Sequence, residues 1–125
     1  MDRSSRFLSV TVLFIGLHSV LLGVALLFAP MWTLEMARWP DGVPVFFAAQ
    51  SGLFLVILGT VYLAGLRDSS LLWVLVLSKA LAGIFLVVMV SISEAPRIIL
   101  LQAILDAAMG LTVFVAWRRD SGVLG

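Results

Sequence analysis

Three ionisable side chains stand inside long apolar runs of this chain: His18, Lys79 and Asp106. An ammonium and a carboxylate that meet in a low-dielectric interior satisfy each other, and an imidazole beside them can take or give a proton near neutral pH. Such a set could relay a proton, exchange it for an ion, or polarise a carbonyl oxygen. It could equally fix the register of two helices and do no chemistry. Gln50 and Gln102 form a second tier. Two amides in apolar surroundings need partners, so they are expected either to line an outward-facing pocket or to hydrogen-bond between helices.

The elements that must position these groups are four apolar runs, 7–29, 45–66, 71–93 and 98–117, each 20 to 23 residues long. A helix needs about 20 residues to cross the hydrocarbon core. Pro30, Pro40 and Pro44 punctuate the first connection; Arg67, Asp68, Ser69 and Ser70 form the second, and Glu94, Ala95, Pro96 and Arg97 the third. Connections this short join antiparallel neighbours. The fold class is therefore an all-α membrane protein, an antiparallel four-transmembrane-helix bundle filling the chain as one domain. The first run is longer than a signal-peptide core, and Ala29-Pro30-Met31 lacks a small-x-small cleavage pattern, so it is expected to be retained. Met31, Trp32, Leu34, Met36 and Trp39 alternate with Thr33, Glu35 and Arg38, which suits a short interfacial segment after the first helix.

Depth brings the three ionisable groups together. Counted from one end of their spans, Lys79 lies about eight residues deep and His18 and Asp106 about eleven, which the ~1.5 Å rise per residue places within about 5 Å of one level. Lys79 and Asp106 belong to consecutive spans and are predicted to face each other, with Gly83 making room for the lysine. Small residues mark the seams: Gly16 and Gly23, Gly52 and Gly59, and Ala103 and Gly110 recur at seven-residue intervals, which return to nearly the same helix face.

With 62% hydrophobic and 12% charged residues among 125, the bilayer has to be the solvent. Arginine counting sets the orientation. Arg3, Arg6, Arg67, Arg118 and Arg119 share one side, and Arg38 and Arg97 take the other, which predicts both termini in the cytoplasm of a multi-pass protein, expected in a bacterial inner membrane. Trp32, Trp39, Trp73 and Trp117 fall near the span ends and read as interfacial anchors. A formal net charge of +1 without a basic stripe gives no case for nucleic acid. The absence of cysteine excludes disulfides and thiolate chemistry, and one histidine makes no metal site. No phosphate loop, dinucleotide fingerprint or haem-ligand pair is present, so no cofactor is expected from the residues.

The stretch Ala49-Gln50-Ser51-Gly52-Leu53-Phe54-Leu55-Val56-Ile57-Leu58-Gly59, followed by Leu66-Arg67, resembles the second helix of DoxX-like membrane proteins. The four-span layout and the glycine-bearing first helix ending in Ala29-Pro30 are also similar. The pattern departs at Gln50, where that family commonly carries glutamate. The resemblance implies an accessory membrane subunit, binding a membrane protein partner in a quinone-linked redox assembly, and a quinone is implied only by it. The alternative is a homo-oligomeric small-solute or proton-coupled transporter using Lys79 and Asp106. A third use, an enzyme acting on a lipid or quinone, lacks a visible electron carrier, so no autonomous enzyme is expected.

Overall fold

The computed structural model describes residues 3–40, 42–93 and 95–120, with only the backbone of 3–5. Glu94, assigned to the third connection, and the Arg3 side chain, counted for orientation, lie outside the described residues. The chain is helical: α1 (Arg3–Phe28), α2 (Pro30–Met36), α3 (Val45–Ala64), a 3-10 turn (Ser69–Leu71), α4 (Leu72–Ile92) and α5 (Ile99–Asp120). Four of these are long and apolar enough to cross a membrane. This is an all-α four-helix membrane bundle.

Span limits follow local chemistry. α1 stops because Ala29 takes φ −136° and ψ 59° ahead of Pro30, a residue that disfavours helix in its predecessor. Pro30 then opens α2, where its missing N–H costs nothing. α2 ends in a Schellman arrangement: the Trp39 N–H donates to the Leu34 carbonyl and the Arg38 N–H to the Glu35 carbonyl. Arg38 holds the left-handed position at φ 58°, where glycine is usual. α3 ends at Ala64, two residues short of the predicted Leu66, with Gly65 packed on Leu72 in the turn. Asp68 caps the 3-10 turn by accepting from both the N–H and the hydroxyl of Ser70. α5 runs past Trp117 to Asp120, because Arg118, Arg119 and Asp120 can continue the helix in a polar setting.

The helices close in the cyclic order α1, α3, α4, α5, but two seams dominate: α1 on α3, and α4 on α5. Contact between α3 and α4 is slight although only residues 65–71, three of them in the 3-10 turn, connect them. A short connection fixes adjacency; small residues decide closeness. On α1 and α3 the glycines interlock in antiparallel register. A Cβ built on Gly23 would lie 2.6 Å from the Gly52 carbonyl oxygen, and one on Gly52 would lie 2.6 Å from that of Gly23. Gly59 stands the same way against Gly16 and Val20. Backbones this close gain dispersion and weak C–H···O contacts that lipid cannot supply.

The core shared by all four spans comprises Leu8, Val12 and Ile15 of α1, Tyr62 of α3, Leu72 and Leu75 of α4, and Val113 and Ala116 of α5. These residues lie in the half of the bundle that carries the start of α1, the end of α5 and the 3-10 turn. In the other half the buried residues are Gly23, Ala48, Gly52, Gly83 and Ala103, small side chains on the two seam-forming pairs. Phenylalanine, leucine, isoleucine and valine cover the outside, including Phe14, Phe28, Phe46 and Ile84. That is the distribution expected of a surface solvated by hydrocarbon.

Candidate functional site

Lys79 and Asp106 meet at the boundary between the two halves. The Lys79 Nζ donates to Asp106 Oδ1 at 3.0 Å, and the residues are 5% and 4% exposed. An ion pair this deep is held by a charge-assisted hydrogen bond in a low dielectric, and each partner offsets part of the other's desolvation cost. The predicted facing of these two residues is what the structure shows. Its packing basis differs in one detail. Gly110, not Gly83, abuts the lysine: a Cβ at 110 would fall 3.0 Å from the Lys79 Cβ. Gly83 instead lies on the seam, towards the Ala103 carbonyl and Ala107.

Gln102 stands one helical turn from Asp106 on α5, and its Nε2 donates to the same Oδ1 at 3.1 Å. The Asp106 carboxylate therefore accepts twice through one oxygen, while Oδ2 has no partner among the described residues. Gln50 is exposed on α3, and no hydrogen bond joins it to Gln102. The two amides thus serve different surroundings: one completes the ion pair, the other faces outward. Trp32 and Trp73 are exposed, whereas Trp39 and Trp117 are half-buried, and Trp117 packs against the common core.

α1 brings His18 close enough for both charges of the pair to act on it. Its Nδ1 is buried and has no hydrogen-bond partner. The neighbouring Ser19 is 1% exposed, and its Oγ is also without a partner. Thr11, Thr60, Ser91 and Thr112 bond their hydroxyls to the carbonyl four residues earlier; Ser19 makes no such bond.

α3 contributes Tyr62. Its ring lies 5.9 Å from Lys79 Nζ, within cation–π range, and the Ser78 side chain of α4 lies close to it. One polar cluster thus draws on all four spans: His18 and Ser19, Tyr62, Ser78 and Lys79, and Gln102 and Asp106. Ser19, Tyr62 and Ser78 lie outside the candidate residues read from the sequence. Their signal was adjacency, since each serine sits beside an ionisable residue, and Tyr62 is the chain's single tyrosine.

No group of three or more His, Cys, Asp or Glu side chains that could hold a metal occurs among the described residues. What the cluster can do chemically is keep a neutralised charge pair, an imidazole and several free hydrogen-bonding atoms inside the membrane. Comparison of the chain with protein-family models, curated proteins and solved structures found no match.

Proposed function

We propose that this protein is a small accessory subunit that binds a partner protein within the membrane. The observation that carries this proposal is the closure of the Lys79–Asp106 pair upon itself: charge meets charge at 3.0 Å, with Gln102 completing the carboxylate. A pair satisfied in this way fixes α4 against α5 and sets the register of the bundle. Its connections are short, and its apolar faces are left for neighbours in the bilayer. The DoxX-like resemblance around Gln50 to Arg67 supports the same role and suggests a quinone-linked assembly as the setting, with both termini cytoplasmic in a bacterial inner membrane.

A second function is favoured by one specific observation, the meeting of polar groups from all four spans at one level. In that case the protein is a homo-oligomeric proton-coupled transporter, and Asp106 is the group that exchanges the proton. Reconstitution separates the two. An accessory subunit gives liposomes no proton or solute flux, and Asp106→Asn changes nothing in that assay. A photo-crosslinking residue at exposed Ile84 or Ile104 then captures one discrete partner in native membranes. Flux that vanishes with Asp106→Asn would replace the accessory role with transport.

A further inference from the structure

Two buried hydrogen-bonding atoms of the polar cluster have no protein partner, His18 Nδ1 and Ser19 Oγ, and both bonds to the Asp106 carboxylate go to Oδ1, which leaves Oδ2 free. A buried polar atom left unpaired costs about 1–3 kcal/mol, so native proteins rarely leave several together. Two of these atoms belong to consecutive residues of α1, and the third belongs to a side chain whose charge acts on His18. Ser19 is the most telling, since its side chain is buried and its hydroxyl makes no bond to its own backbone.

We propose that the four spans enclose a hydration site, in which water is bound by His18, Ser19 and the free oxygen of Asp106. The chemistry of the atoms selects this ligand. Asp106 Oδ2 accepts only, His18 Nδ1 can accept or donate, and the serine hydroxyl does both. A bound molecule must therefore donate and accept within a small space, as water does with two to four polar partners. The ion pair is already neutral, which disfavours a bare ion of either sign. On the far side of Lys79 and Asp106 from the common core, the buried residues are those on the α1–α3 and α4–α5 pairs, and His18 and Gln102 are only half-buried. The site stands whether the pair is structural or takes part in transport, because it rests on the unpaired atoms and not on any flux.

The test is water-edited solid-state NMR of the protein in lipid bilayers, which reads magnetisation passing from water protons to labelled side chains. Fast transfer is expected at His18, Ser19 and Asp106, against slow transfer at Ile15 and Leu75, both 0% exposed. Ser19→Ala, which keeps the packing, is expected to abolish the fast component at Asp106 while the Lys79–Asp106 contact persists. The proposal is overturned if the three side chains are as dry as Leu75, if their magnetisation comes from acyl-chain protons instead, or if Ser19→Ala leaves transfer to Asp106 unchanged.

Discussion

Gln102 and Gln50 are the same residue in two environments, and the contrast gives a sharp test. Replacing Gln102 with leucine removes a hydrogen bond to a buried carboxylate, an interaction worth about 1.5–3 kcal/mol. Gln50→Leu removes an exposed amide and is expected to leave stability unchanged or raised in reversible unfolding from mixed micelles. Asp68 offers a pH test outside the spans. The Ser70 hydroxyl and N–H hold its carboxyl below the usual range. A depressed folded-state value means the cap contributes fully above the ordinary carboxylate range and is lost as pH falls through the lowered value. Side-chain NMR titration should therefore place Asp68 below free aspartate, with Ser70 amide protection falling over the same acid range. A normal titration would show that the cap does not form. At this scale the sequence showed which groups needed partners, because charge in an apolar run is visible without a fold. It did not show that Gln102 would spend its donor on Asp106, since side-chain direction depends on helix rotation.

The glycines of α1 and α3 do more than permit a close approach; they define it. Gly52→Ala places a methyl group 2.6 Å from the Gly23 carbonyl oxygen, and neither backbone can yield cheaply. The expected cost is about 1–3 kcal/mol, typical of overpacking. Gly83→Ala meets its nearest atom at 3.3 Å and should cost less than Gly52→Ala in the same unfolding assay. Equal costs would contradict the seam geometry. At the end of α2, Arg38→Gly should stabilise by about 1 kcal/mol, because glycine relieves the left-handed backbone at φ 58°. The seven-residue glycine spacing made the α1–α3 seam readable. The short connection brings α3 and α4 side by side, as expected, but no matched small residues draw their backbones together.

Four crossings return the chain to the side where it starts, so the ends of α1 and α5 and the 3-10 turn lie together, opposite the connections at 37–44 and 93–98. The chain has no cysteine, so single cysteines at Gly42 and Ser69 report topology cleanly. An impermeant thiol reagent should reach them from opposite faces of sealed vesicles. The arginine count further proposes that Ser69 is cytoplasmic. Membrane class and span number were legible because hydropathy over about 20 residues is a whole-helix property. The unpartnered burial of the Ser19 hydroxyl was not, because it depends on how the helices pack around it. The buried polar cluster of this bundle is arranged around Lys79 and Asp106, and a double-mutant cycle on their unfolding free energy examines that most directly. Lys79→Leu and Asp106→Leu should each cost about 3–5 kcal/mol by stranding the opposite charge, and the double variant should recover most of that loss. Single variants whose costs simply add in the double would mean that the two side chains do not interact in the folded bundle.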